Sequence, residues 1–196
     1  GVGKIATDKL LNEILPFLQK RKYNAKPLSS DVGAWQTQLI GGEESENIQG
    51  KNYYKAKSGI IADPYGVFWV KIMQTLSDGN VIITNLPEEG KRKISKIEEK
   101  VEADLIYPSL RGSDIQRWQT KPKFFVFLTQ DPYKREPIPE VEFKNNFPRT
   151  YSYFTRFKEV LLGSSSKMVK RLREQKAFYA MFGVGDYTLS KYKVVW

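Results

Sequence analysis

Apolar residues recur at helical spacing towards both ends of the chain. Between Leu10 and Leu18, five leucine and isoleucine residues follow this spacing, which predicts a helix over residues 7–23 that Pro16 would kink. Further along, the pattern predicts helices over residues 150–162 and 164–176, and a serine cluster supplies the N-terminal cap of the second one. We therefore expect helices on either side of the middle of the chain.

Short apolar runs elsewhere in the chain are typical of strands. Predicted strands cover residues 53–61, 67–76, 81–86, 124–128 and 191–196. The Asp78-Gly79 pair between two of these runs predicts a hairpin. Residues 88–104 mix charged and apolar groups without a clear period, and we interpret them as a solvated surface segment. The whole pattern predicts an α+β fold, in which helices flank a twisted, mostly antiparallel sheet.

Segment 41–50 is acidic and rich in glycine, which is the composition of a linker. We therefore predict two parts: residues 1–50, with an N-terminal helix and an acidic linker loop, and residues 51–196, with the main domain. Because the sequence starts without methionine and stops directly after an apolar run, we expect it to be a piece of a longer protein. It shows neither a signal peptide nor a membrane-spanning run, so we expect a cytoplasmic protein without a membrane partner.

Composition removes several classes of chemistry. Cysteine and histidine are absent, which excludes disulfide frameworks, thiolate zinc sites and histidine-dependent catalytic triads. A carboxylate site that binds Mg²⁺ stays open. The net charge is +10, from 32 basic and 22 acidic residues, and aromatic residues make up 13%. This combination favours nucleic acid as the partner over acidic proteins or membrane surfaces.

Two short motifs resemble catalytic signatures and lack essential parts of them. Gly1-Val2-Gly3-Lys4 is similar to the end of a phosphate-binding loop, but Ile5 stands where Ser or Thr is required. Asp63-Pro64-Tyr65 and Asp131-Pro132-Tyr133 are similar to the Asn/Asp-Pro-Pro-aromatic loop of amino-methyltransferases, which holds a flipped base. Both copies lack the second proline, and we interpret them as ordinary turns.

Basic residues are concentrated at the C-terminal end. Residues 141–196 contain 11 basic and 4 acidic residues, a local net charge of +7. In the second predicted helix, Met168 and Leu172 are expected to point inward, which leaves a basic face of lysine and arginine on the outside. Such a face suits contacts with phosphate groups, and it is equally compatible with simple solvation.

Residues Val101–Ile115, which read VEADLIYPSLRGSDI and are followed by Trp118, resemble a signature of restriction–modification adenine methyltransferases. In that family the signature marks the target-recognition region downstream of the catalytic domain. Further blocks agree with the family in the same order: residues 54–59 with 66–70, residues 148–157, and residues 178–196. The resemblance covers residues 53–196, and residues 1–50 have no counterpart.

The resemblance implies that residues 51–196 are a DNA target-recognition domain. Its parent would be a bacterial adenine-N6 DNA methyltransferase of a restriction–modification system, of type IIG or a type I-like kind. The cofactor loop and the catalytic motif of that family are missing from this chain. S-adenosylmethionine and methyl transfer are therefore implied for a catalytic domain elsewhere in the parent protein, and double-stranded DNA is the implied partner of this chain.

Several side chains are candidates for DNA contact. Arg111 has the donors to read guanine, or it pairs with Asp114 or Asp104 to hold a turn. Gln116 and Gln119 are candidate readers of adenine. The candidate DNA-binding residues are Lys55, Lys57, Arg111, Gln116, Arg117, Lys121, Lys123, Arg149, Arg156, Lys167, Lys170 and Arg171. An RNA-binding module and a basic protein-interaction scaffold are the alternatives, because both would also explain the charge.

Overall fold

A computed structural model describes residues 11–17, 22–27, 35–39, 53, 55–117, 119–164 and 166–193. The chain divides into two compact units, Gly1–Lys55 and Ala56–Trp196, and the division falls close to the predicted boundary at residue 50. None of the helices in the described ranges is long and apolar enough to cross a membrane.

The first unit contains a short helix and a hairpin. Helix α1 (Leu11–Ile14) continues into a 3₁₀ turn over Leu15–Phe17, and strands β1 (Tyr23–Pro27) and β2 (Trp35–Leu39) pair antiparallel. The prediction of a helix up to residue 23 is therefore wrong at its end. Pro16 has no amide hydrogen and lies in the 3₁₀ turn, where the helix changes geometry. The predicted acidic loop 41–50 lies outside the described residues.

The second unit is built on an antiparallel sheet that follows a four-residue helix, α2 (Tyr65–Phe68). Five strands form this sheet, in the order β5-β4-β3-β9-β6, and two small hairpins lie beside it. The strands of the unit are β3 (Trp69–Thr75), β4 (Asn80–Asn85), β5 (Glu98–Glu102), β6 (Ile106–Ser109), β7 (Ile115–Gln116), β8 (Gln119–Thr120), β9 (Phe124–Phe127), β10 (Gln130–Asp131) and β11 (Glu136–Pro137). The α+β class with an antiparallel sheet is confirmed.

The hairpin predicted at Asp78-Gly79 connects β3 and β4. Gly79 adopts a φ of 80°, and the Asp78 carboxylate accepts a hydrogen bond from the Asn80 amide at 3.1 Å. The strand predicted over residues 67–76 starts two residues late, because Val67 and Phe68 complete α2. The strand predicted over 53–61 is wrong in its described part, because residues 55–60 form no ladder and Ile61 makes only an isolated bridge to Phe182.

Strand β5 corrects the interpretation of residues 88–104 as a solvated segment. Val101 is fully buried and pairs with Val81 across the β4–β5 ladder. Val101 is the only buried residue of this edge strand, and charged residues surround it in the sequence. The sequence therefore shows no alternating apolar pattern at this strand. The last part of the segment therefore belongs to the sheet.

Helices cover the sheet face that carries Val70, Ile83 and Phe127. They are α3 (Glu140–Asn146), α4 (Pro148–Arg156), α5 (Lys158–Leu162) and α6 (Lys167–Gln175). The ring of Phe127 lies 5.1 Å from that of Tyr153 and 5.2 Å from that of Phe154, both on α4. The two predicted C-terminal helices are confirmed, although Phe157 interrupts the first of them and divides it into α4 and α5.

Up to residue 193, where its described part ends, the C-terminal segment packs against the sheet and adds no strand to it. Tyr179, Ala180 and Met181 are buried, and a 3₁₀ turn covers Asp186–Leu189. Residues 191–193 are irregular, which contradicts the predicted closing strand in its described part, and residues 194–196 lie outside the described residues.

Candidate nucleic-acid interface

A small basic hairpin, residues 115–123, follows β6 and precedes β9 in the chain. Ile115 pairs with Thr120 and Gln116 pairs with Gln119, so β7 and β8 form a two-stranded antiparallel ribbon. The segment contains Arg117, Lys121 and Lys123 and no acidic residue. All three cationic residues are exposed. Four of the twelve predicted DNA-binding residues therefore lie on this one ribbon.

Gln116 and Gln119 form a side-chain pair on the basic hairpin. They are direct cross-strand neighbours, which places both side chains on the same face of the ribbon. The Gln119 amide nitrogen donates a hydrogen bond to the Gln116 carbonyl oxygen at 3.0 Å. Both side chains are exposed, so the pair faces solvent.

Arg111 holds the base of the basic hairpin to the sheet. Its guanidinium carbon lies 5.5 Å from the ring centroid of Trp69 and 4.9 Å from that of Phe124. The guanidinium group also forms ion pairs with Glu89 at 2.5 Å and with Asp114 at 3.4 Å. Of the two roles expected for Arg111, the structure shows the pairing with Asp114. The contact with Glu89 was not predicted.

Asp114 completes this anchor from the hairpin side. Its carboxylate is buried and accepts a hydrogen bond from the Arg111 backbone amide at 3.0 Å, and that bond is the main cause that lowers the pKa of the carboxyl group. The Lys123 ammonium lies 3.4 Å from the second carboxylate oxygen. The start and the end of the hairpin therefore meet at one carboxylate.

The aromatic pair beneath Arg111 is part of a longer stack. Trp69 stacks on Phe124 at 4.3 Å and on Tyr65 at 4.2 Å, measured between ring centroids. Trp69 alternates with Val70 along β3, so this stack lies on the sheet face opposite the helices. In the sequence Trp69 and Phe124 are simply apolar strand positions, and only the register of β3 against β9 reveals that they lie next to each other.

Residues 87–95, which we call the basic loop, contact Arg111 below the basic hairpin and the backbone of α5. Glu89 contacts Arg111 at one end. At the other end the Arg92 guanidinium donates to the Val160 carbonyl at 3.0 Å and lies 3.6 Å from the Asp63 carboxylate. Lys91 and Lys93 are exposed on either side of Arg92. These two cations were not among the predicted DNA-binding residues.

The side chain of Asn85 fixes the basic loop to the sheet. Its amide nitrogen donates to the carbonyl oxygens of Gly66 and Ser95, both at 2.9 Å. Its carbonyl oxygen accepts from the Ile97 amide at 2.8 Å. Because Asn85 is fully buried and these bonds satisfy it, the loop is held in one position.

Helix α6 presents the predicted basic face. Lys167, Lys170 and Arg171 are exposed, and Lys170 lies 3.9 Å from Glu174 on the same face. The prediction that Met168 points inward is wrong, because its side chain is 51% exposed. Val169 and Arg173 are the buried residues of the helix. The helix therefore turns a different side towards the core from the one that Met168 and Leu172 predicted.

Arg173 points inward because backbone carbonyl groups surround its guanidinium group. It donates to Ala180 at 3.1 Å, to Leu161 at 2.8 Å and to the carbonyl of Asp63. Burial lowers the pKa of Arg173 to about 10, so the side chain stays cationic at neutral pH. Three otherwise separate segments of the chain meet at this residue.

The remaining predicted residues belong to other segments of the chain. Arg156 forms an ion pair with Glu99 at 2.5 Å, and Arg149 is exposed at the start of α4. The Lys57 ammonium lies 5.5 Å from the ring centroid of Tyr187. Lys55 is exposed and belongs to the first unit. Both lysines fall in the predicted strand 53–61, but residues 55–60 form no strand.

The two Asp-Pro segments have structural partners. The Asp131 carboxylate accepts hydrogen bonds from the backbone amides of Tyr133 at 2.8 Å and Lys134 at 3.0 Å, which is the geometry of a turn. The Asp63 carboxylate accepts from the Ser164 hydroxyl at 2.7 Å. Within the described part of the chain, no group of three or more acidic residues is arranged to hold a metal ion.

Comparisons with models of protein families, with curated proteins and with solved structures give no match to this chain. Its function therefore has to be inferred from its own residues. The features that bear on it are the basic hairpin, the basic loop and the exposed face of α6.

Proposed function

We propose that this chain binds double-stranded DNA in a sequence-specific way. In this proposal it is the target-recognition part of an adenine-N6 DNA methyltransferase of a restriction–modification system. The observation that carries the proposal is the basic hairpin, an exposed two-stranded ribbon with three cationic residues, a glutamine pair and no acidic residue.

The dimensions and the chemistry of the ribbon suit the major groove of duplex DNA. That groove is about 12 Å wide and admits a two-stranded ribbon. Arg117, Lys121 and Lys123 supply charge for the phosphate groups along the groove, and the glutamine side chains carry the donors and acceptors that base edges require. The Arg111 anchor favours specific recognition, because a rigidly held ribbon presents the same atoms to each base pair.

The basic loop and α6 carry further exposed cationic residues. The loop contacts the hairpin anchor through Glu89 and the α5 backbone through Arg92. Lys91 and Lys93 are exposed on this loop, on either side of Arg92. In the proposal these lysines contact phosphate groups and contribute affinity without selecting a base.

Methyl transfer is assigned to a separate catalytic domain of the parent protein. The order of the sequence blocks in residues 53–196 supports this assignment, and the chain lacks the cofactor loop of that family. S-adenosylmethionine would be bound by that catalytic domain. The role of this chain is to hold the duplex while the catalytic domain flips the target adenine.

Selection from a randomised duplex pool tests the proposal. The purified chain is mixed with the pool at moderate salt, with RNA as competitor, and bound duplexes are sequenced. We expect one short enriched motif that contains an adenine and that RNA does not compete away. If RNA displaces the bound duplexes, the chain is an RNA-binding module instead. If no saturable binding to nucleic acid is measured, the chain is a protein-interaction scaffold.

A further inference from the structure

The glutamine pair of the basic hairpin has a fixed orientation towards solvent. Successive residues of a strand point to opposite faces, so Gln116 and Gln119 share one face while Ile115 and Thr120 share the other. Ile115 is partly buried, which directs its face of the ribbon towards the domain. The face of the ribbon that carries the two glutamines therefore points away from the domain.

The hydrogen bond within the pair determines what the pair offers to a ligand. Gln119 uses its amide nitrogen and Gln116 uses its carbonyl oxygen, at 3.0 Å. The Gln116 amide nitrogen and the Gln119 carbonyl oxygen take no part in this bond, which leaves one donor group and one acceptor of the pair for a ligand. If the hydrogen bond ran in the other direction, with Gln116 as the donor, the pair would still present one donor group and one acceptor.

Adenine presents the complementary arrangement in the major groove. Its N7 accepts a hydrogen bond and its N6 amino group donates one. Guanine presents two acceptors, N7 and O6, so the carbonyl oxygen that the pair leaves for a ligand would face another oxygen atom. A thymine in the same position presents an acceptor and a methyl group, which match only one of the two atoms.

We infer that Gln116 and Gln119 act together as one reading unit for a single adenine in the major groove. This inference rests on the proposed function, and it names two specificity-determining residues of the same site. The hydrogen bond between the two side chains restricts both of them before DNA arrives, so binding orders fewer rotamers than two separate glutamines would require. The contacts of Lys121 and Lys123 with phosphate groups would set the depth of the ribbon in the groove.

Selection with three proteins tests the inference: the unchanged chain, the double variant Gln116→Ala/Gln119→Ala and the control Thr120→Ala. Thr120 is exposed on the opposite face of the same ribbon, so its variant reports any general damage to the hairpin. We expect the double variant to lose the preference for adenine at one position and to keep the rest of the motif. The control is expected to select the unchanged motif.

A base analogue tests the same contact from the DNA side. At the selected position, 7-deazaadenine replaces adenine, which removes the N7 acceptor and leaves N6 in place. We expect the unchanged chain to lose roughly tenfold or more in affinity, and the double variant to be insensitive to the analogue.

Three results separate failure of this inference from failure of the proposed function. An identical motif for the unchanged chain and the double variant overturns the inference and leaves DNA recognition standing. Equal sensitivity of both proteins to the analogue also overturns it, because another group then reads N7. If the unchanged chain selects no duplex motif, the proposed function fails and the inference fails with it.

Discussion

Arg111 combines aromatic and ionic partners around one guanidinium group. It lies over Trp69 and Phe124 and forms ion pairs with Glu89 and Asp114. Planar stacking and two carboxylate contacts suit arginine better than lysine. In the proposed function Arg111 is therefore a positioning residue that holds the ribbon, while the glutamine pair contacts the base.

Replacement of Arg111 tests this role. We expect Arg111→Ala to lower the free energy of unfolding by about 2 kcal/mol and Arg111→Lys by about 1 kcal/mol, because stacking and packing are lost. Urea denaturation measures both values. Affinity for DNA should fall by a similar factor for every base sequence. A stable Arg111→Ala variant that loses preference at one base pair would instead make Arg111 a reader of that base.

Asn85 is a second residue whose exchange has a defined consequence. Asn85→Asp keeps the shape and replaces the amide donor by an oxygen that faces the carbonyls of Gly66 and Ser95. We expect a loss of about 3 kcal/mol in unfolding free energy, from unpaired acceptors in a buried place. Asn145→Asp, at an exposed position of α3, is the matched control and should change stability by less than about 0.5 kcal/mol. Equal losses in the two variants would contradict the account of the loop.

At the scale of elements, a carboxylate from the sheet caps the start of α4. Glu102 on β5 accepts hydrogen bonds from the Thr150 hydroxyl at 2.7 Å and from the backbone amides of Thr150 at 2.8 Å and Arg149 at 3.1 Å. Partial burial opposes ionisation, but these hydrogen bonds outweigh it and lower the pKa of Glu102 below its ordinary value of 4.5. The helix and the edge strand are joined at this point.

This cap predicts a pH dependence. Because the pKa of Glu102 is lower in the folded state, its contribution is complete above the ordinary pKa of 4.5 and is lost as the pH falls through the lowered value. We expect Glu102→Gln to cost about 1 kcal/mol at pH 7, and this difference from the unchanged chain to shrink in acid. Unfolding experiments over this pH range measure it, with Glu98→Gln, exposed on the same strand, as the control. A difference independent of pH would contradict the capping role.

Two glycines in turns should respond differently to the same substitution. Gly79 has a φ of 80° and open space where a Cβ would lie, so Gly79→Ala should cost about 1 kcal/mol from backbone strain alone. Gly183 has a φ of 75°, and a Cβ there would lie 2.6 Å from the Gly59 carbonyl oxygen. We expect Gly183→Ala to cost about 3 kcal/mol or more in thermal or urea unfolding. The reverse order would show that the contact between Gly183 and Gly59 relaxes easily.

Periodicity predicts elements well where one side-chain pattern dominates. The β3–β4 hairpin and strand β9 follow from apolar runs and an Asp-Gly turn, and the basic face of α6 follows from helical spacing. The direction of Met168 was wrong because a buried arginine, Arg173, occupies the inward face, and its hydrogen bonds to backbone carbonyls give no signal in the sequence. Likewise, Glu89 and Arg111 are 22 residues apart, and only the folded sheet brings them together.

At the scale of the molecule, the net charge of +10 is distributed unevenly. Many of the basic residues have a carboxylate beside them, as Lys134, Lys144 and Lys176 do. The basic hairpin contains three cationic residues and no acidic one, and its local charge is offset only in part, by Asp114, which lies just before the hairpin and 3.4 Å from Lys123. If duplex DNA is the partner, this uneven distribution predicts that the hairpin contributes more to binding than these three lysines do.

The salt dependence of duplex binding tests this central claim most directly. Arg117, Lys121 and Lys123 are changed together to Gln, and a control protein carries Lys134→Gln, Lys144→Gln and Lys176→Gln, which removes the same charge. We predict that the slope of log affinity against log salt falls by about 2.7 for the hairpin variant, for three lost phosphate contacts, and by much less for the control. Equal slopes in the two variants, or no binding by the unchanged chain, would contradict DNA recognition through the basic hairpin.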